Sequence, residues 1–147
     1  MFEETQVSSM QMLAGGCHCG AIRFECGSAV SKPAICHCTS CRRTIGAQSV
    51  AWMTVKRATF KVLRGTPREY ASSEQVLRTF CERCGCSLTY VHQKYPDEID
   101  LTISSLDNPS VVAPTDHLWM GDAALWDRPG DGLPQHAGWR SSPTAST

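Results

Sequence analysis

Short runs in which apolar and polar residues alternate dominate the hydrophobic pattern of this chain. Residues 21–26 alternate in this way, as do residues 58–63, and each run ends near a glycine that favours a turn. Further short strands are predicted over residues 77–80, 87–91 and 99–103. Sustained helical periodicity is absent, and the most helix-like residues follow Cys38 or lie near Asn108-Pro109. The pattern therefore predicts an all-β domain of short antiparallel sheets with few short helices.

Length and charge narrow the class of protein. A chain of 147 residues fits one domain, predicted over 13–135, with a flexible N-terminus at 1–12 and a disordered tail at 136–147. Fourteen basic and fourteen acidic residues give no net charge, so no global field would concentrate a nucleic acid. The first sixteen residues lack the basic and apolar regions of a secretory signal, and no apolar stretch is long enough for a membrane span. We therefore expect a cytoplasmic protein whose partners include neither nucleic acid nor membrane.

The grouping of nine cysteines adds chemistry to this picture. A reducing cytosol keeps thiols free for metals or catalysis, and an odd number of cysteines cannot pair completely. Seven of them fall into three compact groups, at residues 17–19, 36–41 and 81–84. The third group is followed by Gly85, which predicts a metal-binding knuckle whose backbone N–H groups turn towards the thiolates. Cys26 and Cys86 are left over, and we predict that both are buried small side chains.

The seven grouped cysteines suit two zinc sites of different kinds. A structural zinc takes four protein ligands, and one built from two distant pairs closes a long loop, which suits the first and third groups. The middle group offers three cysteines within six residues and no obvious fourth ligand. Such a site leaves one zinc position open to water or to a thiol. Spacing alone does not exclude an exchange of pairs between the two sites.

Three segments, taken in order, carry a resemblance to a known family. They run from Gly15 to Phe24, from Cys36 to Arg43 and from Phe80 to Gly85. Together with residues 117–119 and 131–134, they resemble the glutathione-dependent formaldehyde-activating family, which includes centromere protein V. The resemblance extends over residues 13–135.

This resemblance implies a fold, two metal sites and an activity. The fold is a β-tent-like arrangement of short sheets held by a structural zinc on four ligands, namely Cys17, Cys19, Cys81 and Cys84. The second zinc is held by the residues of the implied catalytic centre, namely Cys36, Cys38 and Cys41. The implied activity is that of a carbon–sulfur lyase that forms S-(hydroxymethyl)glutathione, with the second metal meeting the glutathione thiol.

Charged residues beside the cysteines are weighed for further roles. His18 and His37 each stand between two cysteines, and in an extended segment their side chains point away from a metal held by their neighbours. Arg42 and Arg43 directly follow the open site. We predict that these arginines bind a carboxylate of a peptide thiol such as glutathione, with solvated surface arginine as the alternative.

Tryptophans offer a second possible lining for a binding pocket. Trp52, Trp119 and Trp126 are candidates, but a domain this small usually places tryptophan in its core. The sequence therefore favours the core for all three.

Several functions remain compatible with an open zinc site. In the lyase hypothesis, zinc on three thiolates takes a substrate thiol as its fourth ligand, and the deprotonated sulfur attacks a small aldehyde. Thiols add to formaldehyde without help, so a non-catalytic thiol carrier is the main alternative, followed by a zinc-stabilised interaction module. Methionine sulfoxide reductases also use paired Cys-x-x-Cys zinc sites. This chain has one such pair outside the triple and no clear separate nucleophile, so that class is disfavoured.

Overall fold

The computed structural model describes residues 11–140, and this part of the chain is mostly β-sheet. Its strands are β1 (Met12–Gly16), β2 (Arg23–Gly27), β3 (Ser31–Cys36), β4 (Val50–Lys56), β5 (Lys61–Arg64), β6 (Arg68–Ser73), β7 (Val76–Phe80), β8 (Ser87–His92), β9 (Glu98–Thr102) and β10 (Asp116–Leu118). One α-helix, α1 (Thr39–Ile45), and four short 3₁₀ turns complete the described residues. No helix among them is long and apolar enough to cross a membrane. The predicted all-β class is confirmed.

Two sheets organise these strands. One has three strands in the order β1-β2-β5, and the other has seven in the order β10-β3-β4-β9-β8-β7-β6. All pairs are antiparallel except β10 with β3. The five predicted strands correspond to β2, β5, β7, β8 and β9. The strand β3 was not predicted; it contains Pro33, and its register with β4 shifts there, which accommodates a residue that cannot donate to the ladder.

The two faces of the seven-stranded sheet differ in polarity. Side chains alternate between the faces, so Met53 and Leu101 point into the main core, where both are fully buried together with Phe24. The opposite face carries a row of polar and aromatic residues on neighbouring strands. In register, this row runs Thr54, Asp100, Tyr90 and Arg78. Because these polar residues lie on inner strands of the sheet, this face is the candidate location of a functional site.

The helix α1 is short and defined by local interactions. Its N-cap is Cys38, whose Sγ accepts a hydrogen bond from the Cys41 N–H at 3.3 Å. The helix is capped at its C-terminal end by Gly46, which has a φ of 73° and donates its N–H to the Arg42 carbonyl. A cysteine at the cap therefore satisfies a backbone donor and, at the same time, is placed beside Cys41.

The C-terminal residues 136–140 differ from the prediction of a disordered tail. The His136 N–H donates to the His117 carbonyl, and the Trp119 N–H donates to the Gly138 carbonyl, each at 2.9 Å. Arg140 donates two hydrogen bonds of 2.7 Å to the buried carboxylate of Asp116. A buried carboxylate needs such a partner. Composition could not reveal it, because the partner lies on a strand of the sheet. The rest of the predicted tail and nearly all of the predicted flexible N-terminus lie outside the described residues.

Candidate functional site

Four cysteines from two distant turns converge at the edge of the main core. Cys17 and Cys19 lie between β1 and β2, whereas Cys81 and Cys84 lie between β7 and β8. Their four Sγ atoms all lie within 4.8 Å of one another. The turn at 81–84 is closed by Gly85, whose φ is 80° and whose N–H donates to the Cys81 carbonyl at 2.7 Å. We refer to these residues as the four-cysteine cluster.

The geometry of the four-cysteine cluster fits a tetrahedral metal ion. Zinc with sulfur ligands at about 2.3 Å places each pair of sulfurs about 3.8 Å apart. The Sγ atoms of Cys17 and Cys19 are 3.6 Å apart, and those of Cys19 and Cys81 are 3.7 Å apart. Hydrogen bonds from the backbone N–H groups of Cys86 and Cys19 lower the pKa of Cys84 to about 6. The backbone thus favours the thiolate form that a metal requires.

Three further cysteines converge within one short segment. Cys36 ends β3, Cys38 caps α1 and Cys41 lies in its first turn. Their Sγ atoms also lie within 4.8 Å of one another, and within residues 11–140 no fourth Cys, His, Asp or Glu joins the group. Hydrogen bonds with the Cys36 and Cys41 thiols lower the pKa of Cys38, whereas hydrogen bonds with Cys38 and Cys41 raise the pKa of Cys36. We call these residues the three-cysteine cluster; three thiols are enough to hold a metal ion with a position to spare.

The three-cysteine cluster opens into a cavity of about 810 Å³ on the polar face of the seven-stranded sheet. This volume lies in the range of about 300–1,000 Å³ that is usual for small-molecule sites. The wall nearest the cysteines includes Trp52 and Tyr90, whose ring centroids are 6.0 Å apart. The cavity therefore has an apolar wall, and free thiols face it.

A buried arginine completes this part of the cavity. Arg78 on β7 is only 7% exposed, and its two Nη atoms lie 3.9 and 3.8 Å from the Sγ of Cys41. Its guanidinium also lies over the Tyr90 ring, 4.9 Å from the centroid. A positive charge at this distance favours the anionic form of the cysteine sulfurs.

Comparison with known proteins agrees with this arrangement. The sequence profile of the family described as glutathione-dependent formaldehyde-activating enzyme matches residues 12–122. The chain belongs to this family. A Halomonas elongata protein that is named, provisionally, as such an enzyme is 31% identical over 126 residues, covering 78% of this chain and 79% of that protein. A crystal structure of a Rhodobacter sphaeroides protein shares the fold with a TM-score of 0.55 and 24% identity, covering 69% of this chain and 92% of its own.

In this member of the glutathione-dependent formaldehyde-activating family, a chain of hydrogen bonds lies behind the three-cysteine cluster. His37 points away from the cysteines, as predicted, and its Nδ1 lies 2.8 Å from a carboxylate oxygen of Asp127. Its Nε2 lies 2.8 Å from the Nδ1 of His117, whose Nε2 lies 2.8 Å from a carboxylate oxygen of Asp131. The network ties the segment that carries the cluster to the C-terminal part of the domain.

The hydrogen-bond count constrains the protons in this network. If both carboxylates accept hydrogen bonds, the three bonds require three ring N–H groups. Burial lowers the pKa of His37, although Asp127 opposes that effect. Both imidazoles are nearly inaccessible to solvent, and they brace the cysteine segment from behind.

The predicted arginine contacts with substrate stay a prediction. Arg42 and Arg43 are not among the residues that line the cavity, because successive helical residues point in directions about 100° apart and Cys41 already takes the inward position. Both arginines lie instead in the last turn of α1, where positive charge complements the helix dipole. The cationic side chains in the lining are Lys32, Arg78 and Arg140.

Sequence reasoning missed Arg78, although a signal was present. The strand at residues 77–80 was predicted, and Arg78 occupies an inward position between Val76 and Phe80 in its alternation. A charged residue at an inward strand position is rare unless it has a partner. Only the fold shows that this partner is a cysteine cluster 37 residues away in sequence.

Several single-residue predictions can now be compared with the structure. Trp52 is buried, but Trp119 and Trp126 are 39% and 72% exposed, so the core prediction is wrong for these two. Both follow β10, where the chain runs over the surface. Cys26 is fully buried, as predicted, whereas Cys86 is half-buried and belongs to neither cluster.

Proposed function

We propose that this protein is a zinc-dependent carbon–sulfur lyase that catalyses the reversible addition of a glutathione-type thiol to a small aldehyde. The observation that carries the proposal is the three-cysteine cluster, which faces a cavity of about 810 Å³ and lacks a fourth ligand among residues 11–140. In the proposed enzyme, Cys36, Cys38 and Cys41 hold one zinc ion and the four-cysteine cluster holds another. The family name supplies glutathione and formaldehyde as the reactants to test first.

Each part of the cavity has a task in this proposal. Zinc held by three thiolates supplies a position where a substrate thiol loses its proton near neutral pH. The aromatic wall of Trp52 and Tyr90 excludes water from one side of that sulfur. The cavity holds both reactants close together, which lowers the entropic cost of their reaction. Three thiolates make the metal a weak Lewis acid, so positioning and deprotonation of the thiol are its contributions.

The proposal is tested with cobalt in place of zinc, because cobalt–sulfur absorption reports a new sulfur ligand. Glutathione should change the spectrum and release a proton, and Cys41→Ala should abolish both effects. The matched control is Cys26→Ala, which removes a buried cysteine outside both clusters and should retain them.

Catalysis requires a separate measurement. The approach to equilibrium of glutathione and formaldehyde should be faster than in buffer and should scale with protein concentration. Binding of the thiol without such acceleration would contradict the lyase and leave a thiol carrier. If no thiol reached the cobalt, the clusters would serve only the structure.

A further inference from the structure

The guanidinium of Arg78 is buried without a carboxylate partner among residues 11–140. Its Nε donates to the Ser72 hydroxyl at 2.9 Å, and its Nη atoms approach only the Sγ of Cys41. Burying an arginine charge is costly unless a negative group compensates it. The compensating charge must therefore come from the three-cysteine cluster or from a molecule in the cavity.

Arg78 has more hydrogen-bond donors than its neighbours in the fold accept. An arginine carries five N–H groups, of which one serves Ser72. Each Nη can direct one N–H at the single sulfur of Cys41, which accounts for two more. Two N–H groups remain beside Cys41 without an acceptor among the described residues. Because Arg78 lines the cavity, a bound molecule can reach them.

Charge balance identifies what these two donors are for. Three thiolates and a divalent ion carry a net charge of −1, which the single positive charge of Arg78 matches. A substrate thiolate adds one more negative charge, and this charge moves to the carbonyl oxygen when sulfur attacks an aldehyde. That oxygen is attached to the carbon that bonds the sulfur, so it lies within reach of a donor next to the cysteines.

We propose that Arg78 is a catalytic residue that binds the aldehyde oxygen and stabilises the alkoxide formed by thiol addition. This role rests on the proposed function. A sulfur lone pair forms the carbon–sulfur bond, and the carbonyl π pair moves to the oxygen, which accepts hydrogen bonds from Arg78. The alkoxide then takes a proton from water, and the hydroxide that is left combines with the proton that the thiol released on binding. Carbon–sulfur cleavage follows the same steps in reverse. Ser72 and the Tyr90 ring hold the guanidinium plane in place.

A binding experiment tests the anion recognition without an aldehyde. Thioglycolate carries a carboxylate one carbon from its sulfur, and 2-mercaptoethanol carries a neutral hydroxyl on a similar chain. Their dissociation constants are measured from the spectrum of the cobalt-substituted protein. Arg78→Gln should reduce the preference for thioglycolate over 2-mercaptoethanol by about tenfold or more relative to wild type. Arg64→Gln, an exposed arginine on β5, is the matched control and should leave the ratio unchanged.

A kinetic experiment separates oxygen binding from simple charge compensation. Arg78→Lys keeps the positive charge and protects against loss of the fold, but it lacks two parallel donors. Both Arg78→Lys and Arg78→Gln should lower kcat for glutathione and formaldehyde by about 100-fold, with a much smaller change in KM for glutathione. Full activity in Arg78→Lys would overturn the proposal and leave Arg78 as a counter-ion of the thiolates.

The outcomes distinguish this proposal from the proposed function. If wild type binds thiols but does not accelerate their addition to the aldehyde, both the proposed lyase function and the catalytic role of Arg78 are contradicted. If wild type does accelerate the reaction and Arg78→Gln is equally fast, only the role of Arg78 fails. A thioglycolate preference that survives in Arg78→Gln would also overturn it.

Discussion

The two cysteine clusters have similar sulfur geometry but opposite relations to the fold. The four-cysteine cluster joins turns whose contacting residues, such as Cys19 and Cys81, are 62 positions apart in the chain. The three-cysteine cluster comes from six consecutive residues beside one short helix. A ligand set that spans distant strands closes a long loop, so its binding energy becomes folding energy. When the ligands are close together in the sequence, loss of the metal costs the fold little stability, so such a site can serve a function other than holding the fold.

Their surroundings differ in the same sense. Cys17 and Cys81 belong to the main hydrophobic core, where they pack among aliphatic residues. The three-cysteine cluster instead adjoins a cavity that is lined by a buried cation, Arg78, and a half-buried carboxyl, Asp100. One cluster is thus positioned to hold strands together, and the other to meet a ligand.

The largest expected effect comes from breaking the long-range cluster. Cys81→Ser should unfold or aggregate the protein, because structural zinc supplies about 10–16 kcal/mol in small domains, as much as a whole domain's stability. The same change at Cys38 should leave the fold intact. Near-ultraviolet circular dichroism and zinc content measure both. A well-folded, zinc-free Cys81→Ser protein would contradict the structural role of the four-cysteine cluster.

The order of metal loss should show the next largest difference. Two zinc ions are expected per chain at full occupancy, and the three-ligand site should bind zinc about tenfold or more less tightly than the four-ligand site. Under a mild chelator, the first ion should leave while circular dichroism stays constant, and the second should leave as the protein unfolds. Loss of all metal in one step together with unfolding would remove the distinction between the clusters.

A pH-dependent loss of folding stability should arise from Asp100, which lines the cavity. Burial raises the pKa of Asp100 from 3.8 to about 6, and the negative charge of Glu98 adds to this effect. The hydrogen bond from Thr54 and the positive charge of Lys32 oppose it. Tyr90 faces it from the next strand. The folded state therefore binds more protons than the unfolded state between about pH 4 and 6. Stability falls as pH rises through this window, and the cost of the charged carboxyl persists above it.

Replacing the carboxyl of Asp100 with a neutral group should restore the stability that its charge removes. Asp100→Asn keeps an acceptor for Thr54, so the variant should be more stable than wild type by up to about 3 kcal/mol at pH 8 and about half of that at pH 5. Urea unfolding at the two pH values measures the difference. Asp122→Asn, an exposed position at the cavity, is the control. An equal gain at both pH values would show that burial of charge is not the cause.

The smallest expected effect comes from the same glycine-to-alanine substitution made beside each cluster. Gly46 and Gly85 have φ values of 73° and 80°, and a Cβ at either would meet nothing within 4 Å. Alanine should therefore cost only the backbone strain of about 1–2 kcal/mol at each, measured by urea unfolding. Gly85→Ala should also speed loss of the tightly held ion, because this residue closes the turn at 81–84. If Gly46→Ala had the same effect on that ion, the two regions would not be independent.

Features that depend on near neighbours could be predicted from the sequence itself. Alternation over residues 21–26 and 58–63 indicated the strands β2 and β5, because the side-chain period of a strand is local. The division of seven cysteines into a set of four and a set of three, drawn from group spacing and family resemblance, agrees with the two sulfur clusters. Gly85 next to Cys84 indicated a tight turn for the same reason, since the left-handed backbone is a property of one residue.

Features that depend on sheet order were decided only by the tertiary structure. Strand β3 was not recognised, and pairing of β10 with β3 places Leu118 beside Cys36, 82 positions earlier in the chain. The hydrogen bonds of His37 with His117 and of Arg140 with Asp116, and the approach of Arg78 to Cys41, arise in the same way. Each buried charge or imidazole needs a partner, but which partner it meets depends on strand neighbours that are distant in sequence. Local periodicity carries no information about those neighbours, so the chemistry of the cavity emerged only when the strands were assembled.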